Sequence, residues 1–428
     1  MDAGGWSQLV NCRWPSTDRR TAPCASIKSV PSNFVSKRPV VFTFGLLTGL
    51  FASGYGVMFT VLDDFRDEYG IGGTALGMIV AMGFFASFLA QVLIAPLADR
   101  GYARRLVYIG MLLNIVGLVA MAIATNAPAL FAARFVMGIG AGMAVPAVRR
   151  IVILADPTNL GANLGRLLAA DVSGFAMGPA IAAVLVGPFG IAAPFLMIAV
   201  LTVACLPVIA RVRVDENLQA PRAKLAFDLL RIRSFAGAVM LGAAVFMMIG
   251  TFDALWVLVL SDLRAADWLA NLGITMFALP MIVLSPTGGR MAQRVGPFRL
   301  ATIGLVAGAG YMFLYGYMPT GMAMMAVGVM HAITDGLTIS STGVAVGLAV
   351  PGERQAGAQG LMGGAQTLVG GVTAVTAGAI YQHVGRTAAY TAAGVAMLVF
   401  VAGALLLIGP TWKQRPLHVS AAPELSKI

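Results

Sequence analysis

The 428-residue chain is 58% hydrophobic and only 11% charged, with a formal net charge of +11. Soluble domains carry about 25% charged residues, so this chain has too little polar surface to stay in water as a monomer. Its surplus of Lys and Arg fits the basic cytoplasmic loops of a membrane protein, and a nucleic-acid surface is set aside on that ground.

Residues 1–39 are polar and irregular, carry Pro15, Pro23, Pro31 and Pro39, and read as a disordered cytoplasmic tail. Apolar segments follow at about 40–62, 72–96, 105–125, 127–148, 162–186 and 190–210. A charged stretch at 211–233 reads as a central cytoplasmic loop. Six more segments lie at about 234–260, 268–289, 298–317, 320–348, 356–382 and 386–409, and 411–428 form a second cytoplasmic tail. The runs are continuous and close to the ~20 residues that a spanning helix needs. They lack the alternation of a membrane β-barrel strand. The sequence therefore predicts an all-α membrane protein with twelve transmembrane helices, divided as 40–210 and 234–410.

Placing the N-terminus inside puts 25 of the 29 Lys and Arg in inside segments. Only Arg66, Arg264 and Arg386 fall outside, and Arg134 alone lies well inside a span. That asymmetry predicts cytoplasmic termini and an even helix count. Cys12, Cys24 and Cys205 offer neither a disulfide framework nor a metal-ligand spacing, and no cofactor is expected.

The two halves share a pattern. After the second span comes Ala95-Pro96-Leu97-Ala98-Asp99-Arg100, then Arg104 and Arg105; after the eighth comes Gly289-Arg290-Met291-Ala292-Gln293-Arg294, then Arg299. Paired six-helix halves place a substrate site between them near the midplane. A short loop with one acid and several guanidiniums suits a latch, because Asp99 can cap a helix N-terminus and Arg100 can pair with acids or lipid phosphates. The plainer reading is an ordinary positive loop. Arg134 begins Arg134-Phe135-Val136-Met137-Gly138; an Arg within a span faces a cavity or an acid, or else snorkels to the interface. Farther on, Gly165, Gly174 and Gly178-Pro179 put small residues and a helix-bending Pro at fixed intervals, which allows close helix contact.

On these residues the chain resembles the major facilitator superfamily and, within it, the twelve-helix drug:proton antiporters. The resemblance spans about residues 40–410 and implies two pseudo-symmetric six-helix bundles, a gating loop at Asp99, Arg100, Arg104 and Arg105, and a protein that works as a monomer. The segment from Gly165 to Pro179 is similar to that family's antiporter signature in the fifth helix. Four departures stand out: Ala95 replaces the usual Gly, Gly101 is displaced by one place, Gln293 stands where the first copy has Asp99, and Ala182 and Ala183 replace a final Gly pair.

Three acids lie in spans: Asp171, Asp253 and Asp335, the last four residues from His331 and so on the same helix face. An acid at bilayer depth is costly unless paired, hydrated or protonated, which makes each a candidate for proton coupling or substrate binding. Asp171 is the first candidate; a structural pairing with Arg134 or a backbone amide is its plainer alternative. Asp63 and Asp64 are expected to end the first helix. There is no Gly-rich phosphate loop, no metal-binding His/Glu cluster and no Gly-x-Ser-x-Gly turn, so no enzyme is expected. The expected activity is proton-coupled export of small, drug-like amphiphiles across the inner or plasma membrane. Its partners are a small-molecule substrate, protons and the lipid bilayer. Uptake of a sugar, organic acid or osmolyte is the alternative, and an intramembrane enzyme a remote one.

Overall fold

A chain in lipid must satisfy its backbone polar groups internally, and long apolar runs do so as helices. The computed structural model describes residues 37–212 and 225–413. Among the described residues the regular structure is helical throughout, with twelve long helices. The first six are α1 (Lys37–Thr60), α2 (Gly73–Leu93), α3 (Ala103–Ile123), α4 (Ala127–Ala155), α5 (Leu160–Phe189) and α6 (Ala192–Arg211). The second six are α7 (Arg233–Asp262), α8 (Asp267–Val295), α9 (Pro297–Tyr317), α10 (Gly321–Thr338, continued by Ser340–Ala349), α11 (Gln355–His383) and α12 (Arg386–Ile408). Ten of these meet both the length and the apolarity that crossing a bilayer requires. The other two, α8 and α11, are 29 residues each but carry Arg290, Gln293 and Arg294, or Gln355, Gln359 and Gln366. Gln293 bonds to residues of the opposite half, Gln355 and Gln359 donate to carbonyls at the end of α10, and Arg290 and Arg294 are exposed near the end of α8.

The repeat seen in the sequence is a repeat of packing. In the first half α1 packs on α5, α2 and α3 on α4, and α3 on α6; in the second, α7 packs on α11, α8 and α9 on α10, and α9 on α12. Each half has its own apolar core, with Phe65, Ile79, Leu118 and Phe195 in the first and Leu255, Trp256, Met312 and Tyr390 in the second. The most extensive contacts between the halves are α5 with α8 and α2 with α11, related by the repeat; α11 also meets α4, and Ser340–Ala349 meets α5.

Local signals set several helix ends. The Asn126 side chain accepts from the amide of Ala129 at the start of α4, and Thr320 accepts from Ala323 at the start of α10, as N-caps do. The break in α10 at Ile339 coincides with Ser341 and Thr342, whose hydroxyls donate to the carbonyls of Thr338 and Ile339. Such back-bonding competes with the helix ladder and bends it.

Three expectations need correction. Residues 37–39 begin α1 and do not belong to the tail; the rest of that tail, residues 213–224 of the central loop and 414–428 lie outside the described residues. Asp63 and Asp64 do not end α1 but open a short separate helix, Leu62–Tyr69, where Asp63 pairs with Arg66 at 3.0 Å. Helix α4 runs seven residues past the expected 148, so Arg149 and Arg150, counted with the inside loop, are helix residues, and Arg150 is fully buried.

Candidate transport pathway and gate

The loop between α2 and α3 folds as a short 3-10 helix, Ala95–Arg100, which buries Asp99. One Asp99 oxygen accepts from Arg150 Nε at 3.1 Å and from the Ala356 amide at 2.9 Å; the other accepts from the Gly357 amide at 2.7 Å. A first-half carboxylate therefore closes the N-terminus of α11, where free amides and the helix dipole favour an anion. At the matching end of α8, Gln293 Oε1 accepts from the Gly161 amide of α5 at 2.9 Å, while its Nε2 donates to the Thr158 carbonyl at 3.0 Å. The second copy of the motif thus makes the same kind of cap without charge.

The other loop residues act differently from the expected group. Arg104 reaches the Ala210 carbonyl at the end of α6, at 2.8 Å, and Arg105 lies over the Tyr102 ring. Arg100 Nε is buried without a hydrogen-bond partner. Arg354 holds Asp228 in a two-pronged contact at 2.6 and 2.8 Å, which fastens the 3-10 helix Phe227–Arg231 to the turn before α11. Hydrogen bonding from Arg354 keeps the Asp228 carboxyl below the usual carboxylate range.

Between these caps the halves meet on bare backbone. A Cβ on Gly161 would strike the Gly289 carbonyl, and one on Gly165 the Ser285 carbonyl. Across the other seam Gln91 of α2 lies against Gly360 and Gly363 of α11 and reaches the Thr367 hydroxyl at 3.4 Å. All these contacts lie in the halves of the helices nearest Asp99, so the molecule is shut at its basic end. The rest of the fifth-helix motif works within its own half: Gly174 and Gly178 abut Gly49 and Gly56 of α1. Gly165 therefore faces α8, whereas Gly174 and Gly178 face α1.

Asp335 lies near the middle of α10 and is buried. Its carboxylate is 3.3 Å from His331 Nε2, and the Tyr315 hydroxyl is 3.1 Å from Nδ1. A neutral imidazole with its proton on Nε2 satisfies both, donating to Asp335 and accepting from Tyr315. Tyr311 stacks on the imidazole at 4.8 Å and Phe277 meets it edge-on at 5.3 Å. Trp256 and Phe252 extend this aromatic wall. A cavity of about 10 Å³ adjoins Asp335, lined also by Met248, Thr338 and Thr342.

In the first half Asp171 lies at the middle of α5, with one oxygen buried and lacking a hydrogen-bond partner. The guanidinium that acts on it is Arg149 of α4, not Arg134. Thr48 of α1 lies against the same carboxyl group. Arg134 does not snorkel: it is fully buried, its guanidinium carbon is 4.4 Å from the Tyr55 ring centroid, and its three nitrogens lack hydrogen-bond partners. Gly83 leaves the room for it, since a Cβ there would come 2.9 Å from the guanidinium. Asp253 is exposed on α7, beside buried Phe252. Sequence reasoning missed Arg149, Arg150, Tyr55 and Tyr315; an Arg pair at the end of an apolar run was the available signal for the first two.

The model of the Major Facilitator Superfamily matches residues 44–266 and 239–426. The chain belongs to that superfamily. It is a multi-pass membrane transporter and not an enzyme. Among curated relatives it is 32% identical over 133 residues to the quinolone resistance protein NorA of Staphylococcus aureus (strain MRSA252), covering 30% of this chain and 33% of that protein. It is 30% identical over 226 residues to multidrug resistance protein 1 of Bacillus subtilis (strain 168), covering 47% and 56%. The matches thus span between a third and a little over half of those relatives. Two solved structures share its fold at a TM-score of 0.71: the human organic anion transporter MFSD10 (15% identity, 86% of this chain and 99% of that one) and the proton:xylose symporter XylE (13%, 89% and 96%).

Proposed function

We propose that this transporter exports small amphiphilic molecules by alternating access, driven by protons that return through acids in its two halves. The observation that carries the reading is the pair of mid-helix acids, Asp171 against Arg149 and Asp335 against His331, one in each half. A change of protonation at either alters a costly charge inside the membrane and so the balance between conformations. The positive-inside rule puts the Arg-rich end in the cytoplasm, so the shut gate at Asp99 faces inward and the arrangement is outward-facing. On this reading protons from outside neutralise Asp335 or Asp171, the caps at Asp99 and Gln293 release, and substrate enters from the cytoplasm. Arg134, an uncompensated buried charge, favours a state in which an anion reaches it, and the exposed Asp253 of α7 suits a cationic substrate. The fifth-helix motif and the drug-resistance relatives support export over uptake, while the shared fold of MFSD10 and XylE is neutral on direction.

The test is efflux of a fluorescent lipophilic cation from cells expressing the protein, with and without a protonophore, for the wild type and for Asp171→Asn and Asp335→Asn. Efflux that collapses with the gradient and falls at least about tenfold in one variant supports the reading. Full gradient-driven efflux in both variants would sink the assignment of the acids, and uptake in place of efflux would reverse the direction.

A further inference from the structure

We propose that the lateral groove along the seam of α1 and α5 is a binding site for an acidic phospholipid, with an acyl chain lying in the groove over the seam and the phosphate on Arg166. This site stands apart from the efflux reading and from the acids of the two halves. The groove encloses about 740 Å³ and is lined by the small residues Gly45, Gly49, Ala170 and Gly174, with Leu46 and Met177 along its lips. It opens away from the packed face of α1, which carries buried Phe44, Leu47 and Phe51; Phe42, Leu46 and Met177 are 75%, 49% and 54% exposed.

Its dimensions match one leaflet. From Val41 to Ser53 the groove follows twelve residue steps of α1, or about 18 Å at ~1.5 Å per residue. That is a little over half of a ~30 Å hydrocarbon core. Helix α5 has 30 residues, so at about 45 Å it overshoots the core by roughly 7 Å at each end. Arg166 stands six residues from its start, about 9 Å in, at the boundary between headgroups and acyl chains. There it closes the basic end of the groove, exposed, with Nη1 donating to Asn163 Oδ1 at 2.8 Å. A guanidinium at that depth suits a lipid phosphate, and an apolar trough with few polar atoms beyond it suits a chain of methylenes.

The other half shows what a filled version looks like. Aligning α5 with α11 through the amides capped by Gln293 and Asp99 sets Leu361 and Met362 opposite Arg166. Both are buried, and the Met362 side chain fills the space over Gly242 of α7. The first half therefore has an open trough with a cation where the second has a plug.

The experiment reconstitutes the full chain in phosphatidylethanolamine vesicles containing a trace of phosphatidylglycerol with a photoactivatable acyl chain. A parallel set carries the same group on phosphatidylcholine. We expect phosphatidylglycerol to label peptides from residues 41–53 and 166–181, and Arg166→Gln to cut that labelling about fivefold, the factor for the ~1 kcal/mol that one basic residue contributes near an anionic surface. Labelling by phosphatidylcholine stays unchanged. Gly45→Leu, whose Cβ would meet Ala170 Cβ at an ordinary 3.5 Å, fills the trough and abolishes labelling while Arg166 remains. Equal labelling by both lipids that ignores Arg166→Gln overturns the proposal. So does loss of phosphatidylglycerol labelling on adding the transported cation, which would make the groove a substrate entrance.

Discussion

Asp99 and Gln293 occupy matching positions in the two halves, and each closes the N-terminus of a helix in the other half, Asp99 that of α11 and Gln293 that of α5. The charged cap also neutralises Arg150, which is fully buried; the neutral cap has no such duty. Asp99→Ala is therefore expected to cost about 3–5 kcal/mol, the range for stripping a buried ion of its partner. Gln293→Ala is expected to cost about 1 kcal/mol, as for a lost helix cap. Thermal melting in detergent measures both. In detergent, where both ends are accessible, a cysteine placed near Gly161 would react faster with a hydrophilic thiol reagent in Asp99→Ala as the basic end opens. Equal costs for the two variants would mean that the asymmetry of charge does not matter to the gate.

Arg149 and Asp171 form a second test of buried charge. Arg149→Met alone leaves an uncompensated carboxylate at mid-helix and is expected to lower stability by about 3 kcal/mol. Adding Asp171→Asn should restore most of it, which a double-mutant cycle on melting data would report as coupling. Additive losses would place the guanidinium elsewhere.

Tyr315 fixes the imidazole of His331 from the side opposite Asp335. Tyr315→Phe keeps the aromatic wall and removes only the hydroxyl, so stability should change by about 1 kcal/mol. The pH profile of transport should shift more than its maximum rate falls, because the imidazole loses its polar partner at Nδ1. An unchanged profile would leave His331 a packing residue.

Gly174 lies directly on Gly49, with no room for a Cβ. Gly174→Leu should lower stability by about 1–3 kcal/mol, the usual cost of overpacking, and Gly187→Leu, where a Cβ meets nothing within 4 Å, should be nearly silent. Comparable losses at both sites would count against close α1–α5 contact.

The Asp228–Arg354 contact should depend on pH in a defined direction. Arg354 depresses the folded-state pKa of Asp228, so its stabilisation is present above the ordinary carboxyl pKa and fades as the pH falls through the lower, folded value. The pair is partly exposed, which limits its worth to about 1 kcal/mol at most. Melting of wild type and Asp228→Asn should differ at pH 7 and still differ near the ordinary carboxyl pKa, converging only as the pH falls through the depressed folded-state value. A gap that widened with acid would contradict this sign.

Several features were legible along the chain. Composition and long apolar runs give the membrane class and twelve helices, because lipid demands local satisfaction of the backbone. The repeated loop motif gives the two halves. Asp99 was readable as able to cap a helix N-terminus, but not which one: it closes α11 of the other half and not the helix that follows it. The motif from Gly165 to Pro179 read as one element, yet its first glycine faces α8 and its later ones α1, since three turns of a helix pass more than one neighbour. Arg149 read as a loop cation because a run of apolar residues ends just before it, although α4 continues to Ala155.

Local sequence determined where helices form, since that depends on hydrophobicity and hydrogen bonding within a segment. Which charge meets which was decided by tertiary structure alone. Helix rotation and crossing bring Arg149, not Arg134, to Asp171, and seat Arg134 on Tyr55, because these contacts join residues on different helices, and spacing along the chain carries no record of their distance in space.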